Sequence, residues 1–400
     1  MNSFGKADVL ICGCGIVGLT LGRELLRSGY ENIVIMEKEE KIGQHASGRN
    51  SGVLHAGIYY APDKLKARFC LKGNRLMKEY CRQKGLPILE TGKVIVTRGE
   101  EELDTLQKLY DRSLKNGAKV KLIDEQELSE IEPLARTCKK ALYSYYTAVV
   151  DPRKILDSLY DDLISSGKVR ILKSCRFTGI TGGQTVTTSC GTLGYGLFIN
   201  AAGAHSDKVA HAFGVGLDYK FIPFKGIYRK LIKEKSSLVN GNIYPVPNMA
   251  NPFLGVHFTK DVYGDVYLGP TAIPALGREN YGLVRGMDLE LFEILYREAL
   301  LFFSNAQFRQ VALTEPKKYF FKNFFEEAEK LVKKLEPADI EESDKAGIRP
   351  QLLDWRRREL VMDFMVIKKG NTVHILNAVS PAFTCSIPFA EYVVNEYIKQ

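Results

Sequence analysis

Residues Ala7-Asp8-Val9-Leu10-Ile11-Cys12 form a short apolar run, and Gly13-Cys14-Gly15-Ile16-Val17-Gly18 follows it without a gap. A helical pattern then leads through Leu19, Leu21, Leu25 and Leu26 to Ser28-Gly29, and a second apolar run, Ile33-Val34-Ile35-Met36, ends on Glu37. Strand, glycine turn, helix, strand and acid stand in the order of a dinucleotide-binding fingerprint. Gly13 permits the tight turn, Gly15 lets the backbone approach a pyrophosphate, and Gly18 lets the helix lie close on the strand. The helix start, with Ile16 and Val17, supplies amide donors and the positive end of a dipole. Glu37 lies about twenty residues on, where a carboxylate accepts bonds from ribose hydroxyls, and Lys38 follows it. Glycines also make ordinary turns, so the weight rests on the complete unit rather than on the three glycines.

The 400 residues are too many for one ordinary core, and two domains are expected. A hydrophobic content of 45% with 26% charged residues describes a globular chain rather than a disordered one. No apolar stretch reaches the roughly eighteen residues of a membrane span. The first strand begins within a few residues of Met1, leaving no room for a targeting peptide, so a cytoplasmic location is expected. The eight cysteines show no paired C-x-x-C spacing, which predicts reduced, buried thiols and no metal site. The net charge of +9 permits a nucleic-acid partner, but the basic residues are dispersed, with no run denser than Arg356-Arg357-Arg358. A solvated surface serving an anionic small molecule is the simpler reading, and no nucleic acid is expected.

Beyond Glu37 a glycine- and serine-rich loop spans 43–60, followed by helical patterns over 64–84 and 100–116 and a strand over 93–97. Strands are expected at 141–145, 169–172, 176–180 and 185–189, with a helix from 152 to about 166. A buried strand runs through Leu197 to Ala204, and residues 219–270 are strand-rich. Residues 287–336 read as helical, broken in two at Pro316. A hairpin of 364–367 and 372–376 turns at Gly370-Asn371, and a last helix runs from about Ala382.

Five ordered blocks carry a resemblance: Gly48-Arg49-Asn50-Ser51-Gly52-Val53-Leu54-His55-Ala56-Gly57-Ile58-Tyr59-Tyr60, Pro223-Phe224-Lys225-Gly226, Ile243-Tyr244-Pro245-Val246-Pro247, Pro252-Phe253-Leu254-Gly255-Val256-His257 and Asn377-Ala378-Val379-Ser380-Pro381-Ala382. Together they resemble the L-2-hydroxyglutarate dehydrogenase/oxidase family, FAD enzymes of the D-amino-acid-oxidase and glycerol-3-phosphate-dehydrogenase superfamily, over essentially the whole chain. The resemblance implies an α/β fold of the glutathione-reductase type. In it, a Rossmann-like FAD-binding domain (1–85, 145–215 and 345–400) carries an inserted α+β substrate domain with a mixed sheet (86–144 and 216–344). It implies oxidation of a small L-2-hydroxy acid, with electrons passed to quinone or oxygen. Arg49 stands where family members often carry histidine, and Lys225 replaces an arginine. Both keep a positive charge, but lysine lacks the planar fork that grips a carboxylate.

Proton removal from a 2-hydroxy acid suits a histidine, and of six histidines His55 and His257 fall in the blocks. Either could equally be a satisfied structural side chain. Arg49, Tyr59, Lys225, Tyr244 and Ser380 are the substrate-binding candidates, with surface ion pairs the bland alternative for the two cations. Asn50, Ser51 and Gly52 offer small residues where backbone could pass the flavin. Ala201 and Gly203 end a strand that resembles the second flavin motif, or is simply tightly packed. Pro381 and Ala382 open a helix whose dipole favours anionic reduced flavin, and Arg349 is assigned to the cofactor side. The stretch from Tyr319 to Phe325, with Lys330, Lys333 and Lys334, reads as a helix packing aromatics into a core. Its alternative is a peripheral contact with anionic membrane on the inner face of the cell membrane. Two further readings stay open: a glycerol-3-phosphate- or amine-oxidising relative, and an RNA-binding flavoprotein.

Overall fold

The computed structural model describes residues 3–248 and 254–399, and within them the chain divides into two compact units. The first comprises 1–49, 152–222 and 350–400. Its centre is a run of parallel strands in the order Val169–Leu172, Ile33–Met36, Ser3–Cys12, Gly191–Asn200 and Thr372–Asn377. Ile33, Val34, Ile35, Leu10 and Ile11 are completely buried, as expected for strands covered on both faces. The antiparallel hairpin partner Met365–Lys369 closes one edge, and Thr185–Thr188 pairs with the start of Gly191–Asn200. Helix Ile16–Arg27 turns Leu19, Leu21 and Leu25 inward and packs on helix Ala382–Val393. In such sheets ligands bind beyond the carboxyl ends of the strands, and Cys12, Met36 and Asn200 are three of those ends.

The second unit comprises 50–151 and 223–349. Its mixed sheet includes, in order, Val266–Gly269, His257–Lys260, Asn242–Pro245, Lys93–Val96, Ala141–Ser144 and Val120–Ile123. Only the pairing of Asn242–Pro245 with Lys93–Val96 is parallel among these five. Alternation splits the side chains between two cores. Val94, Val96, Ile243 and Phe258 join one, whereas Ile95, Tyr244 and Val246 face the other with Ile58 and Tyr59. Helix Leu65–Lys84 belongs to this unit, and its Asn74 amide donates to the carbonyls of Leu54 and Tyr146.

The unit boundary therefore falls at Asn50 rather than near residue 85, because these buried bonds tie 50–85 to the strand around 148–150. The helical region after 287 also differs from expectation. It forms Glu290–Ser304, Ala306–Thr314 and Phe321–Glu329, with a 3₁₀ turn at Pro316–Tyr319. The additional break is at Asn305, whose side-chain oxygen caps the next helix by accepting from Phe308 N at 2.9 Å. Strand Ile340–Asp354 was not anticipated, since Glu341-Glu342-Ser343-Asp344 has the composition of a loop. None of the eight cysteines is in a disulfide, and six of them are buried.

Candidate active site

The glycine turn leaves no room for side chains. Gly13 holds φ at +110°, and a Cβ there would stand 2.4 Å from the Ala201 carbonyl oxygen. A Cβ on Gly18 would stand 1.9 Å from the Gly13 carbonyl oxygen, inside any tolerable contact. Gly13 N donates to Met36 O at 2.8 Å, fixing the turn between the two strands. Gly15 caps helix Ile16–Arg27 without a side-chain hydrogen bond, and no acidic residue occupies the first turn. The positive end of the helix is thus left for an external anion.

Glu37 sits at the end of the second strand as the motif requires. One carboxylate oxygen accepts from Cys14 N and the other from Glu39 N, both at 3.0 Å. A carboxylate offers about four lone-pair positions, so two remain for ribose hydroxyls. Ser47 Oγ accepts from Ile16 N at 3.0 Å, binding the 43–49 loop to the helix start. Lys38 lies against Glu39 and His45. Ala201 N donates to Cys12 O at 2.9 Å, keeping that strand end beside the glycine turn, and Gly203 is left-handed at φ +56°. Helix Ala382–Val393 begins after Pro381 with no side-chain cap, and Ser380 is exposed.

The second unit gathers a different set. Lys93, Ile95, Tyr244 and His257 share one face of the sheet: Tyr244 pairs with Ile95 in register, and His257 lies opposite Tyr244. The Tyr244 and His257 rings stack at 3.8 Å. Lys93 is 1% exposed. Its Nζ lies 4.4 Å from the Tyr244 ring centre and 4.5 Å from that of Tyr59, with no hydrogen-bond partner among the described residues. Tyr59 and His55 come from the 55–60 loop, their rings meeting edge-on at 6.4 Å. That loop is pinned by Arg112, which donates to Tyr59 O at 2.9 Å, and by Asn116, which donates to the carbonyls of Gly57 and Tyr60.

Burial governs the protonation of this cluster. It drives His257 down to about 3 and His55 well below the ordinary histidine range, with the nearby Lys93 charge acting in the same direction. Burial likewise lowers Lys93 to about 7 and holds the Tyr59 and Tyr244 phenols well above their ordinary value. His257 Nδ1 donates to Gly255 O at 2.8 Å, so the neutral ring carries its lone pair on Nε2. At neutral pH both imidazoles are unprotonated. They are in the form a base requires.

Of the residues singled out from the sequence, His55, His257, Tyr59 and Tyr244 come together around Lys93, which sequence reasoning left aside. Its position at a strand start reads as a solvated flank, and only the alternation Lys93-Ile95 against Tyr244 could have placed it on a buried face. Lys225 is engaged otherwise, donating to Gly282 O at 2.7 Å and Asn280 Oδ1 at 3.2 Å. Arg49 Nε donates to Gln44 O at 2.6 Å and so ties down its own loop. Asn50 Oδ1 accepts from Gly52 N at 2.8 Å in a tight turn, with Ser51 between them and Gly52 at φ +76°. Arg349 is largely buried, which lowers it to about 10. Pro252 and Phe253 of the fourth block lie outside the described residues. The aromatic stretch after Tyr319 follows the core reading: Phe324 is buried and Phe321 and Phe325 pack against the same cluster, leaving Tyr319 and Phe320 exposed.

The model of the DAO family, FAD dependent oxidoreductases, matches residues 8–396. The chain belongs to this family. The flavoenzyme is 35% identical to human mitochondrial L-2-hydroxyglutarate dehydrogenase over 415 residues, covering 98% of this chain and 89% of that one. It is 36% identical over 402 residues to the L-2-hydroxyglutarate dehydrogenase of Indibacter alkaliphilus, covering 98% and 99% respectively. In fold it is similar to FAD-bound L-α-glycerophosphate oxidase from Mycoplasma pneumoniae (TM-score 0.77, 22% identity, 99% and 94% of the two chains). Glycine oxidase from Geobacillus kaustophilus gives a TM-score of 0.70 at 18% identity, over 98% and 94%. FAD is its cofactor, and the first unit fits it. The glycine cradle that a single Cβ would fill, the helix start with no acid in its first turn and Glu37 are the parts that diphosphate and ribose demand.

Proposed function

We propose that the flavoenzyme oxidises L-2-hydroxyglutarate to 2-oxoglutarate. The observation that carries this reading is the cluster of His55, His257 and Lys93 between Tyr59 and Tyr244, basic groups in a buried site where burial opposes their charged forms. The reaction removes a hydride from C2 and a proton from the hydroxyl, converting the alcohol to a ketone. Bound FAD supplies the hydride acceptor. An imidazole of this cluster takes the hydroxyl proton, and the defined tautomer of His257 leaves Nε2 as the accepting atom. In the resting enzyme these imidazoles are weak bases, because burial opposes their charged form. An entering carboxylate offsets that penalty and strengthens them, so an anionic substrate prepares its own base. Gly13, Gly15, Gly18, Glu37, Ala201, Gly203 and the helix start at Pro381-Ala382 hold the cofactor.

Anaerobic titration of the yellow enzyme tests this. L-2-hydroxyglutarate is expected to bleach the flavin band, and glycerol 3-phosphate, secondary amines and tRNA to leave it unchanged. Bleaching by a phosphate ester or an amine in place of the hydroxy acid would assign the chemistry to another branch of the superfamily.

Electrons then leave to quinone or oxygen. Among the described residues no helix is long and apolar enough to cross a membrane. Exposed Leu289, Phe292, Tyr296 and Phe303, at and within helix Glu290–Ser304, support a peripheral contact with a lipid surface. Sedimentation with anionic liposomes at low and high salt checks it, and retention of the protein in the supernatant at low salt ends it.

A further inference from the structure

Lys93 is an unusual group to bury. Each ammonium carries three donors and no acceptor, and a buried charge ordinarily has a carboxylate beside it. Here Nζ meets two tyrosine ring faces and no hydrogen-bond acceptor among the described residues. The Tyr59 hydroxyl beside it is also buried without a hydrogen-bond partner. The groups facing Nζ are the Tyr59 ring from the 55–60 loop, the Tyr244 ring from the adjacent strand, and the Cys70 thiol from helix Leu65–Lys84. The His55 and His257 imidazoles lie close enough to feel its charge. No carboxylate shifts any of these three basic groups. A packing role alone would be served better by methionine or leucine, which carry no desolvation cost.

We propose that Lys93 is the receptor for a substrate carboxylate and that it takes up a proton when the dianion binds, the two tyrosine rings holding the amine in place until then. This rests on the hydroxy-dicarboxylate reading above. The arriving carboxylate provides the missing counter-ion and restores the ammonium. Ring faces stabilise a cation, so the same residues that hide the amine also favour its charged form once it has a partner. Tyr59 Oη then has an acceptor to donate to.

Calorimetry of the FAD-loaded enzyme with glutarate, a dicarboxylate that has no alcohol to oxidise, tests the proposal at pH 8 in two buffers of different ionisation heat. Wild type is expected to take up close to one proton per glutarate. Lys93→Met is expected to bind glutarate at least about tenfold more weakly, as for loss of a charged hydrogen bond, with the uptake abolished. Lys93→Arg is expected to recover affinity without uptake, because guanidinium is already charged. Its recovery separates anion binding from packing. Equal affinity and equal uptake in wild type and Lys93→Met would overturn the proposal, as would binding by wild type with no uptake. Flavin bleaching of wild type by L-2-hydroxyglutarate is read in parallel. Bleaching with no Lys93 effect removes this inference alone, whereas no bleaching removes the substrate reading itself.

Discussion

The two units present their polar groups by opposite means. The first does so with backbone: amides at a helix start, a carbonyl-tight glycine turn and one carboxylate held by two N–H groups. The second does so with side chains, four titratable groups packed around a single amine. A backbone site tolerates no added atoms and rests on few titratable groups. A side-chain site tolerates changes in shape but depends on which groups are charged.

The largest effect that separates the two should come from Gly18→Val. Its first added carbon meets the Gly13 carbonyl, and overpacking of this kind costs about 1–3 kcal/mol or more. The purified variant is expected to lack flavin absorbance altogether, and a fully yellow Gly18→Val protein would break the backbone account. His257→Asn and His55→Asn should do the reverse. Flavin content stays at the wild-type level while the rate constant of flavin reduction falls by about 10²–10⁴ for the residue that takes the proton. Stopped-flow reduction by L-2-hydroxyglutarate reads this directly, and two variants as fast as wild type would remove the imidazoles from the chemistry. Glu37→Gln is expected to weaken FAD binding by about tenfold, the value of one charged hydrogen bond, without slowing reduction of the loaded enzyme. Flavin release on dilution measures it.

The smallest expected effect is on stability, and its sign is fixed by linkage. Lys93 gives up its proton near pH 7 in the folded enzyme and, like any exposed lysine, near 10.5 when unfolded. Between these values the unfolded chain binds more protons, so raising the pH stabilises the wild type, by at most about 1.4 kcal/mol per pH unit. Urea midpoints of wild type and Lys93→Met at pH 7.5 and 9.5 should therefore converge as pH rises, with the variant the more stable at the lower pH. His257 gives the acid-side counterpart. Its folded value of about 3 lies below the ordinary 6.5, so its contribution is complete above 6.5 and is lost as pH falls toward 3. His257→Asn should flatten that decline.

The cofactor motif was legible because its parts are neighbours in the chain: Gly13, Gly15, Gly18 and Glu37 act within one strand–helix–strand unit. The parallel strands around it and the hairpin at Gly370-Asn371 were readable for the same reason. The Asn305 break carried a readable signal, an N-capping residue, but the apolar pattern on both sides concealed it. Lys225 and Arg49 were marked for their charge, yet sequence gives no view of the carbonyls that engage them.

What the chain alone determined is the part of the molecule in which conformation is local. Glycine at a left-handed turn and an acid at a strand end are consequences of sterics and hydrogen bonding over a few dozen residues. The buried amine was decided by tertiary structure, since sheet register alone brings Lys93, Tyr244 and His257 to a common face while a separate loop delivers Tyr59 and His55. Desolvation acts on whatever that packing encloses, and no linear pattern records how much water a side chain has lost.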